Sequence, residues 1–216
     1  NLIKLPNEIS FATAAALGCR FATAFRGLAT RAQVKKGEWV AVFGCGGVGL
    51  SAIMIAKALG AKVIAVDIST GALEYAKNIG ADLVINSQNV DAVATIHSAC
   101  GGADVSVDAL GSTQTTQASV MSLKRLGRHL QLGLLLTPTG LTEMPMARVI
   151  AWELDLLGSH GMAAVDYPQM LELVKSGALM PEKLRATEIG LTQGAKALAE
   201  MDSFKSFGIT IINPQL

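Results

Sequence analysis

Cysteine is scarce: Cys19, Cys45 and Cys100 are the only three in 216 residues. So few thiols, so far apart, exclude a disulfide framework and fit reduced cysteines in a cytoplasmic compartment. Charge is scarce as well. Charged residues make up 16% and nearly cancel, to +1, with Lys and Arg scattered rather than gathered in a stripe. Nucleic acid is therefore not an expected partner. Aromatic residues reach only 5%, against 50% apolar overall. That is enough for a sizeable core, and its aliphatic character suits sheet buried on both faces, with some surface left for a partner. Residues 1–6 show no signal-peptide pattern. One uncharged run, residues 39–56, is long enough to imitate a membrane span. Gly44, Gly46, Gly47 and Gly49 split it into a strand and a helix, so no membrane association is expected.

What is present is alternation. Residues 6–18 read as a short helix with Ser10 as N-cap and Gly18 as stop, and a second helix runs from 19 or 20 towards 32. Continuous apolar stretches at 39–44, 61–67, 81–86, 103–110, 128–136 and 153–159 read as strands. Helical patterns at 50–59, 69–79, 89–100 and 112–126 lie between them. "AKALGA" at 56–61 recurs as "AKNIGA" at 76–81, an echo of two strand–helix units of similar length. Six strands with helical crossovers predict an α/β fold, a doubly wound parallel sheet of the Rossmann type. A tail follows: helix 166–176, a short strand near 186–190, helix 192–202 and a closing strand at "GITIINP".

"VFGCGGVGL" fits G-x-G-x-x-G through Gly44, Gly46 and Gly49, where a strand ends and a helix opens. The first glycine permits the tight turn, the second lets the backbone approach a pyrophosphate, and the third lets helix and strand pack closely. The helix start then offers N–H groups to phosphate. Asp67 ends the second strand, where a carboxylate accepts both ribose hydroxyls and repels a 2′-phosphate. Ile68, Ser69 and Thr70 supply no cation for one, so NAD is favoured over NADP. The plain alternative is a tight turn beside an Asp67 that only caps the helix after it. A methyltransferase using S-adenosylmethionine also has a glycine loop, but an acid usually stands in its first strand, and Val40, Ala41, Val42 and Phe43 offer none. A non-catalytic NAD-binding module is a further alternative.

Cys19, in "LGCRFATAF", has the address of a metal ligand or reactive thiol, yet nothing beside it completes a metal site. It is either a ligand whose partners lie elsewhere or a small buried core residue. Cys45 reads as a filler inside the glycine loop and Cys100 as a buried or capping residue. His97 reads as lying on a solvated helix face and His129 as lying in a strand. His160 either faces the cleft or does not.

Through "LGCRFATAF", "GCGGVGL", "AKALGAKVIAVD", "AKNIGADLVIN" and "GSHGM", the chain resembles the zinc-type alcohol dehydrogenases of the medium-chain dehydrogenase/reductase superfamily. The resemblance spans nearly all residues and corresponds to the later part of that family's chain. It implies the end of an N-terminal catalytic region at 1–20, an NAD-binding domain at 21–157, and a return to the catalytic domain at 158–216. The implied sheet order is 3-2-1-4-5-6.

The implied activity is oxidation of an alcohol to an aldehyde or ketone, with NAD as hydride acceptor and zinc polarising the substrate oxygen. Cys19 matches a zinc ligand whose partners belong to the absent region, so the chain by itself is expected to lack the complete active site. Gly44, Gly46, Gly47, Val48, Gly49 and Asp67 match the cofactor site. Thr23 matches a residue that packs against the nicotinamide. Ala109, Leu110, Leu132, Gly133 and Leu134 match the walls of its slot, and Leu157 is carried over with them.

Relatives often place a Lys or Arg where Ala72 stands, and an Arg near "FGITII"; this chain has neither. A homo-oligomer through the sheet edge near 141–157 is implied. A zinc-free quinone or enoyl reductase of the same superfamily is the alternative within the resemblance.

Overall fold

The computed structural model describes residues 2–136, 138–201 and 208–216. Its centre is β1 (Trp39–Phe43), of which Val40, Ala41 and Val42 are fully buried. The strand has no polar face because helices cover both sides of the sheet. Crossovers through α3 (Gly47–Ala58) and α4 (Thr70–Asn78) lay β2 (Lys62–Asp67) and β3 (Leu83–Asn86) on one side. On the other side come α5 (Ala92–Cys100), β4 (Ala103–Asp108), α6 (Thr113–Met121), β5 (Leu123–Gln131), α7 (Met146–Trp152) and β6 (Asp155–Gly158). All six strands are parallel, in the order β3-β2-β1-β4-β5-β6. The order reverses between β1 and β4, and at such a switch point the strand ends open a crevice for a ligand.

Upstream, α1 (Phe11–Ala16) is capped by the Ser10 side chain, and α2 (Cys19–Phe25) follows at once from Gly18. The second helix continues to residue 31 with π geometry over Arg26–Arg31. Within that segment Gly27 meets the side chains of Leu130 and Leu132, leaving no space for a Cβ. Downstream, α8 (Tyr167–Lys175) leads to β7 (Arg185–Gly190), α9 (Leu191–Ala199) and β8 (Ile209–Asn213). The last two strands pair as a separate parallel sheet. α1 packs against the turn at Pro181–Leu184 and against β8, so the two ends of the chain meet. The expected end of helix 192–202 and the start of "FGITII" lie outside the described residues.

The structure moves several boundaries. α3 opens at Gly47, three residues before the apolar pattern begins, because the glycine turn itself starts the helix. Residues 123–126 are strand rather than helix end. Leu123 is fully buried and pairs with Ala103, and the register then shifts by a bulge, with Leu126 at φ +61°. Strand pairing overrides the helical propensity of "LKRL". The same strand ends at Gln131, not 136. Residues 146–152, expected only as a Pro-bearing connection, form α7 after Pro145. Among the described residues no helix is long and apolar enough to cross a membrane.

Candidate functional site

The glycine turn links the end of β1 to the start of α3 on the crevice side. Gly44 sits at φ +92°, a left-handed value that a side chain disfavours, and donates its N–H to the Val66 carbonyl at 2.8 Å. A Cβ on Gly49 would fall 1.8 Å from the Gly44 carbonyl oxygen, so only glycine lets α3 stand this close to the turn. Gly46 has nothing within 4 Å of where its Cβ would be. That open space lies at the foot of a helix with no side-chain cap, whose first N–H groups are therefore free to meet an anion. Gly47 and Val48 are half-buried beside it.

Asp67 does more than either sequence reading assigned it. Its Oδ2 accepts from the Cys45 N–H at 2.7 Å and its Oδ1 from the Ser69 N–H at 2.9 Å. The carboxylate thus ties the glycine turn to the start of α4. Each oxygen keeps a lone pair for a ribose hydroxyl. The helix cap itself belongs to Ser69, whose hydroxyl accepts from Ala72 N–H. Ala72 itself is buried. The Cys45 thiol turns inward and donates to the Val66 carbonyl. Burial, with Asp67 adding to it, drives its pKa far up, so it stays a neutral filler as the sequence suggested.

Across the switch point, the ends of β4 and β5 touch. Gly111 is at φ +89°, and a Cβ there would meet the Leu134 carbonyl at 2.3 Å. One on Gly133 would meet the Gly111 nitrogen at 2.3 Å. This contact is held by Asp108, a fully buried residue that sequence reasoning missed. Its Oδ1 accepts from the N–H groups of Leu110 and Gly111, both at 2.9 Å, and from the Thr115 hydroxyl. Its Oδ2 accepts from the Thr116 hydroxyl at 2.7 Å and from Gln131 Nε2 at 3.0 Å. Gln131 Nε2 also donates to the Gly133 carbonyl, while its Oε1 accepts from His129 Nε2. That arrangement leaves His129 Nδ1 to accept from the Ser119 hydroxyl at 3.0 Å. Burial lowers the His129 pKa, in keeping with a neutral ring in this network. The signal for Asp108 was present: a lone acid ends an apolar strand in "VSVDAL" as Asp67 does in "IAVDIS".

The expected slot residues divide by depth. Leu110 and Leu134 are exposed and Ala109 is half-buried, whereas Leu132 is buried with its side chain against Gly27. A cleft of about 600 Å³ is lined by Leu132, Gly133, Leu134, Ser159 and His160, together with Arg26 and Arg31. Leu157 lines a separate cavity of about 180 Å³ beside it, next to Thr116 and His129. Thr23 is buried, and its hydroxyl accepts the Gly161 N–H at 3.2 Å, fastening α2 to the loop that carries His160. His160 thus borders the cleft. His97 departs from expectation: it is half-buried, bonded to the Met121 carbonyl at 2.9 Å and edge-on to Trp152.

Cys19 opens α2 and is exposed, which removes the reading of a buried core residue. Among the described residues no group of three His, Cys, Asp or Glu side chains gathers as a metal site. Cys100 is half-buried, its thiol bonded to the Ile96 carbonyl and its pKa raised mainly by burial. Cys19 is therefore expected to alkylate before Cys45 and Cys100. Peptide mapping after brief iodoacetamide treatment measures this, and a protected Cys19 would contradict the exposed position.

Comparison with known proteins agrees with this geometry. An alcohol dehydrogenase from Geobacillus stearothermophilus is 32% identical over 176 residues, covering 82% of this chain and 51% of its own. An alcohol dehydrogenase from Thermus sp. ATN1 superposes with a TM-score of 0.88 at 28% identity, over 95% of this chain and 59% of that one. An acetophenone reductase from Geotrichum candidum, solved in complex with NAD, gives 0.84 at 25% identity, over 98% and 58%. The chain spans about half the length of the curated relatives it matches. The pattern of the family described as zinc-binding dehydrogenase matches residues 47–176, from the glycine turn to the end of α8. With that match, a sheet in the order 3-2-1-4-5-6 and a glycine turn at its switch point, the chain belongs to the zinc-binding dehydrogenase family.

Proposed function

We propose that this chain is the cofactor-binding part of an NAD-dependent, zinc-type alcohol dehydrogenase, which converts an alcohol to an aldehyde or ketone. The observation that carries the reading is Asp67 joined to the glycine turn, with open space above Gly46. The residues fit a dinucleotide. Helix α3 and the backbone of Gly46 to Gly49 would hold its diphosphate, Asp67 its adenosine ribose, and the β4–β5 ends with Thr23 its nicotinamide. When bound, NAD supplies the hydride acceptor. The protein's own part is to orient the ring: Asp108 and Gln131 fix the Gly111–Gly133 contact on one side, and Thr23 pins α2 on the other.

Zinc is a different matter. The described residues offer Cys19 alone, and one thiolate does not make an open catalytic site with three protein ligands. The other ligands would come from outside the described residues. The exposed Cys19 at the start of α2 supports the zinc-dependent reading over a zinc-free quinone or enoyl reductase.

Calorimetric titration with NAD and NADP tests the cofactor assignment. NAD is expected to bind more tightly, and Asp67→Ser is expected to weaken it by about 1–3 kcal/mol, the range for a lost charge-assisted hydrogen bond. The ratio of NAD to NADP affinity is the decisive quantity. It falls if Asp67 reads the ribose, whereas a merely loosened turn weakens both cofactors alike. Equal affinities in the unmodified protein would sink the NAD assignment.

A further inference from the structure

The start of α3 poses a problem of charge. Its uncapped N–H groups and the aligned peptide dipoles make it positive, so a cation there is disfavoured. Yet Arg20, the second residue of α2, lies across it. The three atoms nearest to a Cβ built on Gly47 all belong to Arg20: Cδ and Nη1 at 2.7 Å and Cζ at 3.2 Å. Arg20 is half-buried and forms no ion pair or hydrogen bond with another described residue. Asp67 faces the same turn, but it holds the Cys45 and Ser69 N–H groups and forms no ion pair with Arg20. Two positive features therefore converge beside the open space at Gly46, and among the described residues no carboxylate pairs with Arg20.

We infer that Arg20 is a cofactor-binding residue whose guanidinium pairs with the diphosphate of the dinucleotide at the start of α3. The inference rests on the cofactor reading above and adds a contact to it. A planar guanidinium meets phosphate oxygens through two parallel N–H bonds, a geometry that a lysine ammonium does not reproduce. The placement follows from the fold. Packing of α2 on α3 brings "CRF" beside "GGVG", so a cation adjacent in space to the glycine turn comes from 27 positions earlier in the chain. Gly47 takes part by having no side chain, since any Cβ would displace the guanidinium.

Titration of wild type and Arg20→Gln with ADP-ribose and with adenosine tests the assignment. Arg20→Gln is expected to weaken ADP-ribose about tenfold or more, to leave adenosine within about twofold, and to flatten the salt dependence of ADP-ribose binding. Arg20→Lys should recover part of the loss. Gly47→Ala should weaken ADP-ribose by displacing the guanidinium and should add little to Arg20→Gln in the double variant. Unchanged ADP-ribose affinity in Arg20→Gln overturns the assignment and leaves the cofactor reading intact. Equal losses for ADP-ribose and adenosine overturn it in favour of a packing role, and so do fully additive effects of the two substitutions. A wild-type protein that binds neither probe overturns the cofactor reading itself.

Discussion

Asp108→Ala is expected to destabilise the fold by about 3–4 kcal/mol, beyond the roughly 1–3 kcal/mol of one unsatisfied buried group. The carboxylate is fully buried, and the substitution strands several donors together. The Leu110 and Gly111 N–H groups lose Oδ1, while the Thr116 hydroxyl and Gln131 Nε2 lose Oδ2. The Thr116 bond is buried and the other three are half-buried, so water can only partly replace the lost acceptor. The damage should also reach the crevice, because Gln131 holds the Gly133 carbonyl with the same amide nitrogen. Urea denaturation measures the first effect and NADH titration the second. Asp108→Asn separates charge from shape. It keeps one acceptor oxygen but turns an NH₂ towards donors, so it should cost less than alanine while remaining clearly destabilising. A loss below about 1 kcal/mol for Asp108→Ala, within the worth of a single net hydrogen bond, would show that the network is not cooperative.

Gly49→Ala is expected to cost about 3 kcal/mol, at the upper end for overpacking, and to abolish ADP-ribose binding. The added methyl would sit 1.8 Å from the Gly44 carbonyl oxygen, and that oxygen has nowhere to retreat. Gly44 is fixed by its N–H bond to Val66, and a Cβ placed on it would already be 3.3 Å from Leu110 Cβ. The helix must therefore move off the strand, and its N–H groups leave the crevice. Gly46→Ala is the matched control. Its φ of −78° suits alanine and nothing lies within 4 Å, so stability should change by less than about 1 kcal/mol. Binding should still fall, because the methyl enters the space reserved for the diphosphate. Denaturation curves and ADP-ribose titrations on both variants check this. A Gly49→Ala protein as stable as wild type, or a Gly46→Ala protein that binds normally, would contradict the geometry.

The parts of this site that could be read from the chain are those built from neighbours in sequence. Gly44, Gly46 and Gly49 are local requirements of one turn, and their spacing carries the information. Asp67 was legible because it ends a strand at a fixed distance from that turn. Its second task, accepting from Cys45 N–H, was not, since the bond joins residues 22 positions apart. Asp108 carries a similar strand-end signature, but nothing in the sequence says that Gln131 and Thr116 converge on it. His97 was misplaced for a related reason: its partners Met121 and Trp152 lie on other elements.

By itself, the sequence determined the order of the strands and of the helices other than α7, the buried character of the central strands and the position of the cofactor turn. These follow from periodicity, glycine spacing and caps, which act over a few residues. Only the tertiary structure decided that residues 123–126 belong to a strand, because the burial of Leu123 and its pairing with Ala103 outweigh local helix propensity. Only it brought Arg20 across Gly47 and gathered the donors around Asp108. Those contacts join residues far apart in the chain. Their free energy comes from a charge that either finds its partner on folding or stays buried without one, and no local pattern encodes that outcome.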